Sequence, residues 1–164
     1  MKEKALFLEK LNELLVLAKE ELSERFALIY TGQRRLARNL LREVVGRYVG
    51  GREDIIEILF KIQRIAALMK FELEKGNIDN FAKLLNEQWD IAKKIDEGCT
   101  NTCIEQMFKS IEDLIDGRFI AGAGGGGFLQ VILKKGVTKE ELRERIKSVF
   151  RDTGIDVWDA EFVF

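Results

Sequence analysis

Histidine and proline are absent from these 164 residues, and only two cysteines are present. Without histidine there is no Ser-His-Asp or Cys-His nucleophile system, no imidazole-ligated zinc and no histidine pH switch. Without proline there are no cis-proline turns and no Pro-rich ligand segments. Cys99 and Cys103 are spaced C-x-x-x-C, and a zinc site would need two more ligands that no second cysteine pair supplies. They read as reduced thiols, with no metal site expected. Charge of either sign is not in excess: 27 basic against 28 acidic residues give a formal net charge of -1. That balance argues against nucleic acid or an anionic membrane as the main partner. No apolar run approaches the ~20 residues of a membrane span. Lys2, Glu3 and Lys4 lead into a segment dotted with charge, which is no signal peptide, so the expected setting is cytoplasmic.

What is present is patterned. Phe7, Leu11, Leu14, Leu15, Ala18 and Leu22 recur at helical spacing and predict an amphipathic helix or linker over residues 1–25. Phe26-Ala-Leu-Ile-Tyr30 is a short apolar run closed by Thr31-Gly32, the mark of a buried strand. Leu36, Leu40, Val44 and Val45 carry a helix that stops at Gly50-Gly51. A longer one follows through Ile55, Ile56, Leu59, Ile62, Ala66, Met69 and Leu73 to Gly76, a C-terminal glycine. Asn77 or Asp79 caps the next, through Phe81, Leu84, Leu85, Trp89, Ala92 and Ile95, as far as Gly98. Thr102-x-x-Glu105 has capping-box spacing and predicts a helix through Ile104, Met107, Phe108, Ile111, Leu114 and Ile115 to Gly117. Residues 118–121 and 128–133 read as strands joined by a glycine run. Thr138-x-x-Glu141 opens a last helix, and Val157 to Phe164 read as a half-buried strand with Trp158, Ala160, Phe162 and Phe164 inward. Collapsing the inserted helices to one crossover leaves β-α-β-β-α-β. The expected fold is therefore α+β: a ferredoxin-like four-stranded antiparallel sheet with a multi-helix insertion and helices on one face, in one domain over 26–164.

Two stretches carry candidate chemistry. Gly122-Ala123-Gly124-Gly125-Gly126-Gly127 has more glycine than a hairpin turn needs. Glycine loses more backbone freedom on folding than any other residue, so the run calls for a return. Unobstructed amides and close approach to a bound anion would supply one, and a plain surface hairpin loop is the alternative. Tyr30-Thr31-Gly32-Gln33-Arg34-Arg35 sits where a strand hands over to a helix and could present amides and cations to an anion. The plainer reading is a capping threonine with solvated arginines. Asp113 and Asp116 read as surface charge, and Trp89 and Trp158 as core. No residue here completes a catalytic set.

Ile29-Tyr-Thr-Gly-Gln-Arg-Arg-Leu-Ala-Arg-Asn-Leu-Leu41, Asn86-Glu-Gln-Trp-Asp90, Gly98-Cys-Thr-Asn101 and Ala121-Gly-Ala-Gly-Gly-Gly-Gly-Phe128 together resemble the C-terminal domain of L-fucokinases. These are members of the GHMP small-molecule kinases, and the match runs from about Phe26 onward in the family's order. The resemblance implies ATP-dependent phosphorylation of a sugar, in fucokinases L-fucose to fucose 1-phosphate, with ATP and Mg2+ as cofactors of the intact kinase. It also implies that the phosphate loop and the catalytic base lie in an N-terminal GHMP domain, since no Gly-Leu-Gly-Ser-Ser stretch occurs here. That domain and the sugar are then the partners, and neither cofactor is expected to bind tightly to this chain alone. The glycine run at 122–127 would be the phosphate or substrate loop, with Tyr30, Thr31, Gly32 and Arg35 on the substrate side. Gln33 and Arg34 depart from the family's usual Lys-Thr, and Thr102 from a common proline. A heptose-phosphate kinase domain and a non-catalytic sugar-binding or interaction module stay open as alternatives.

Overall fold

Phe26–Tyr30 and Phe128–Leu133 form the strands that their apolar runs predict, β1 and β3, in the computed structural model, which describes residues 16–33, 38–122, 124–151 and 153–162. With β2 (Ile115–Ile120) and β4 (Asp156–Trp158) they make one antiparallel sheet in the order β2-β3-β1-β4. The first and third strands are central, as the β-α-β-β-α-β plan requires. Residues 16–25 form helix α1, which runs directly into β1. The insertion between β1 and β2 is α2 (Arg38–Val49), α3 (Glu53–Glu74), α4 (Ile78–Ile95), a 3-10 turn (Glu97–Cys99) and α5 (Thr102–Ser110); α6 (Lys139–Val149) joins β3 to β4. The expected helix over Phe7 to Leu15 lies outside the described residues.

Helices cover both faces of the sheet, not one. Alternation sorts the strands. Ala27, Ile29, Leu129, Val131, Leu133, Ile120 and Val157 pack with Ile104, Met107, Phe108 and Ile111 near α5 and with Leu142 and Ile146 of α6. Ile132, with Phe26 and Phe119, packs the other way, against Ile78, Ala82 and Leu85 of α4 and Met69 and Leu73 of α3. The insertion is long enough to fold into its own α3–α4 hairpin, and that hairpin takes part of the second face. Gly76 at φ 71 closes α3, and Asn77 opens α4 by accepting a hydrogen bond from the Asn80 amide. Trp89, fully buried as expected, meets Phe108 and Phe119 edge-on where α4 crosses the flank of β2.

Three boundaries differ from the sequence pattern. The helix expected to reach Gly117 ends at Ser110, and β2 begins at Ile115 with a register shift before Gly117. Gly117 is a strand glycine because a Cβ there would lie 2.9 Å from the Ala82 backbone. Its role is close approach of α4, not a helix stop. The cap of α5 is Asn101, not Thr102: its side chain accepts from the Ile104 amide, and Glu105 turns to the Thr100 hydroxyl at 2.7 Å. At α6 the Thr138–Glu141 capping box is present in both directions. The last strand is three residues long, and the pairing of Ile29 with Val157 fixes its parity. Val157 therefore points into the core and Trp158 out, 52% exposed, which corrects the inward placement of Trp158.

β2 is an edge strand, and Asn86 closes its open side. The Asn86 amide donates to the Asp116 carbonyl at 2.7 Å and its oxygen accepts from the Arg118 amide at 2.9 Å. One side chain thus stands in for a neighbouring strand, covering groups that would otherwise pair with another chain. Asn86→Ala should lower stability by about 1–2 kcal/mol and promote aggregation on partial heating. Urea melts and light scattering measure both, and unchanged values would show that the edge needs no cover.

Arg25 is buried to 4% exposure at the α1–β1 junction. Its Nε donates to the Leu133 carbonyl at 2.8 Å, and its two terminal nitrogens donate to Glu21 and Asp79 and to Asp116. Asp116, expected as surface charge, is thus a ligand of this arginine; Asp113 is held by Arg145 at the surface.

Candidate functional site

The glycine run and the Tyr30–Gln33 segment meet because their strands are neighbours. Tyr30 pairs with Phe128, and the ladder continues past both strand ends. The Thr31 amide donates to the Gly127 carbonyl at 2.9 Å, and the Gly127 amide donates to the Gln33 carbonyl at 2.9 Å. Thr31 is buried, and its hydroxyl accepts from the Gln33 amide at 3.3 Å, which turns the chain. Residues 31–33 and the end of the glycine run at Gly127 therefore lie side by side along one rim. Arg34, Arg35 and Ala123 lie outside the described residues.

A third segment joins them. The Gly125 amide donates to the Cys99 carbonyl at 2.7 Å. Asn101 Nδ2 donates to both the Gly125 carbonyl and Gln33 Oε1 at 3.2 Å, while its Oδ1 caps α5. One asparagine thus fixes the loop, the Gln33 turn and a helix end. The site reading did not include Asn101, although it stands in the Gly98–Asn101 stretch that carried the resemblance. Its role was hidden because Gln33 lies 68 residues away in sequence.

Gly124, Gly125 and Gly126 are buried beneath the 3-10 turn and Gln33, which a plain surface hairpin loop would not be. At Gly124, with φ 85, a Cβ would stand 2.5 Å from the Cys99 carbonyl oxygen. At Gly126 a Cβ would stand 3.1 Å from the Gln33 carbonyl oxygen. Gly122 and Gly127, at φ 81 and 90, have open space around a Cβ position and need glycine for conformation alone. Two amides of the run, at Gly125 and Gly127, are already spent on protein carbonyls. The rim is a packed collar that sets backbone position, not an open ring of amides. Among the described residues no three His, Cys, Asp or Glu side chains gather in a way that could hold a metal ion. No disulfide joins Cys99 and Cys103, of which Cys99 is buried and Cys103 partly so.

Asn101→Ser separates the asparagine's two jobs, since serine keeps the helix cap but has no amide to donate. Exchange of the Gly125 amide should quicken about fivefold or more while stability falls by about 1 kcal/mol. Hydrogen exchange read by NMR decides it, and an unchanged Gly125 rate would mean that Cys99 alone holds the loop.

No family model matches the chain. It is 29% identical over 127 residues to a bifunctional fucokinase/GDP-fucose pyrophosphorylase of Arabidopsis thaliana, covering 77% of this chain and 12% of that protein. It is also 29% identical over 107 residues to an L-fucokinase/L-fucose-1-P guanylyltransferase of Bacteroides fragilis, covering 65% of this chain and 11% of that one. The chain thus spans about an eighth of the length of these relatives. In structure it superposes on L. major mevalonate kinase, solved with R-mevalonate, with a TM-score of 0.70 at 14% identity, over 82% of this chain and 41% of that one. The resemblance to fucokinases holds, and the fold is that of part of a mevalonate kinase. No helix among the described residues is long and apolar enough to cross a membrane.

Proposed function

We propose that this chain is the substrate-side, C-terminal-type domain of an ATP-dependent sugar kinase, acting on L-fucose to give fucose 1-phosphate. The carrying observation is the 29% identity over 127 residues to a protein named for fucokinase activity. The GHMP-type fold and the rim built from residues 30–33 and 124–127 support the same reading. Residues 26–164 are the domain, and its partner is the domain that carries the phosphate loop and the base. A cytoplasmic setting, where ATP is supplied, fits the reading.

ATP supplies the phosphoryl group when bound. Phosphoryl transfer asks a protein mainly for positioning and for charge stabilisation. This chain contributes positioning. The collar of Thr31, Gln33, Asn101 and Cys99 holds the backbone of Gly124 to Gly127 in one conformation, so the rim meets sugar and phosphate without reorganising. Gly32 at φ 68 lets the 31–33 turn pass close to the Thr153 carbonyl. Tyr30, beside Gly127's neighbour Phe128, and Arg35 are the substrate-side groups of this reading. Magnesium and the base belong to the other domain.

A coupled ATP-consumption assay tests it. The purified chain alone should give no L-fucose-dependent turnover above background. Grafted in place of the matched segment of the Bacteroides fragilis relative, it should support L-fucose phosphorylation. Turnover by the isolated chain would sink the two-domain reading. A graft that phosphorylates a heptose phosphate but not L-fucose would overturn the substrate.

A further inference from the structure

The backbone fixes the polarity of the Asn101 amide, and Gln33 inherits it. The Ile104 amide can only donate, so the Asn101 atom that accepts from it at 3.0 Å is Oδ1. The Gly125 carbonyl can only accept, so the atom bonded to it at 3.2 Å is Nδ2. The second proton of Nδ2 points to Gln33, also at 3.2 Å, and must meet an oxygen there, Oε1. Gln33 Nε2 is then left on the far side of its amide with two protons, and no group among the described residues takes either of them. The side chain that carries it is half-buried and held in place. Its Cβ lies 3.2 Å from where a Cβ on Gly126 would stand, and its own carbonyl accepts from the Gly127 amide. A donor fixed at both ends loses little further freedom when it meets a ligand.

We infer that Gln33 is a specificity-determining residue that donates from Nε2 to an uncharged hydroxyl of the acceptor sugar, with Asn101 as the residue that positions it. The assignment of that hydroxyl to a sugar rests on the sugar-kinase reading; the donor and its preference come from the geometry. Among the described residues, the ionised side chains bonded to this stretch are both carboxylates. Asp96 accepts from the Gly98 amide at 2.6 Å and Glu105 from the Thr100 hydroxyl at 2.7 Å. Negative charge beside a neutral donor turns away a phosphoryl oxygen and is indifferent to a hydroxyl. A hydroxyl accepts with a lone pair while its own proton stays free for another group. A substrate without it leaves the amide protons unpaired, the kind of loss on which discrimination is built.

The orientation is read in the 15N-labelled chain. The Asn101 side-chain protons, both bonded, should exchange with water about fivefold or more slowly than those of Gln33. The reverse order would mean that the amides are turned the other way, and it overturns the inference while the kinase reading stands. The contact is read in the Bacteroides fragilis graft. Gln33→Met keeps the length of the side chain without its N–H groups and should raise the KM for L-fucose about fivefold. Gln33→Glu should raise it less, because one oxygen still accepts from Asn101 and a hydroxyl can turn to donate to the other. Neither should move the KM for ATP by as much as about twofold. Among L-fucose analogues each lacking one hydroxyl, one should lose about fivefold in kcat/KM with the parent graft and under about twofold with Gln33→Met. Equal losses in the two grafts overturn the inference. A rise in the KM for ATP, steepest in Gln33→Glu, gives the amide to a phosphoryl oxygen and overturns it too. Gln33→Met also leaves one Asn101 proton unbonded. If it weakens every analogue alike while Gln33→Glu behaves as the parent, Gln33 serves the collar alone and the inference falls. A parent graft that phosphorylates no L-fucose fails the kinase reading itself, and the sugar hydroxyl with it.

Discussion

Gly124→Ala should lower the melting temperature by about 10 °C, the largest effect of any single methyl added to the glycine run. The added Cβ would sit 2.5 Å from the Cys99 carbonyl oxygen and 2.6 Å from the Cys99 Cα. Both are backbone atoms of a 3-10 turn that is itself tied down by the Gly125 amide, so no flexible side-chain end can give way. Overpacking of this kind costs about 1–3 kcal/mol, and a left-handed φ adds about 1–2 kcal/mol for a residue with a side chain. Gly122→Ala is the control. At φ 81 with open space around the Cβ it bears only the conformational part, about 1 kcal/mol, or some 2–4 °C. Thermal melts of the two variants decide the matter. Equal losses would mean that φ alone matters and that the turn over the loop is loose. Gly125→Val should lose stability too, because Gly125 is buried and its amide is tied to the Cys99 carbonyl.

The strands and caps that local pattern controls were legible to the residue. β1 and β3 have no competing periodicity, and Thr138–Glu141 is a local signal with a local outcome. The strand order followed from chain order alone. What sequence could not give was contact between distant residues. Gly117 looks like a helix stop until Ala82 is seen against it, and Asn101 like one letter of a motif until Gln33 and Gly125 are found on its amide. The direction of Trp158 turned on parity, since a three-residue strand is too short for its own pattern to reveal which face is buried. The five glycines were readable as unusual, but not as divided between steric and conformational needs, because the steric partners come from 97–101 and 31–33. Arg25 gave only the ordinary signal of Glu21 four residues before it: its other carboxylate partners, Asp79 and Asp116, lie 54 and 91 residues on, and an arginine beside a strand is ordinarily solvated.

Arg25→Met should cost about 2–3 kcal/mol at neutral pH and make the protein's stability less sensitive to acid. Methionine keeps the buried stem and removes only the charge and the donors. Glu21, Asp79 and Asp116 are then left facing one another with no buried cation between them. Losing one partner of a buried ionic group costs about 3–5 kcal/mol, but these carboxylates are 31% to 49% exposed, so water screens part of the repulsion. Lys135, which reaches Asp79 at 3.0 Å and Glu21 at 3.5 Å, offsets a further part. In the parent, the hydrogen bond from Arg25, then that from Lys135, holds the Asp79 carboxyl below the usual carboxylate range. A depressed folded-state value means that this stability is present above the unfolded value near ~4 and is lost as pH falls through the folded one. The parent should therefore hold its stability from about pH 7 to 5 and lose it below about pH 4. In Arg25→Met the largest cause of the Asp79 depression is gone while the Lys135 hydrogen bond remains, so the loss of stability in acid should be smaller than in the parent. Urea midpoints at a series of pH values separate the cases. If parent and variant run parallel from about pH 5 to 3, the Asp79 carboxyl does not feel Arg25, which then acts through its bond to the Leu133 carbonyl alone.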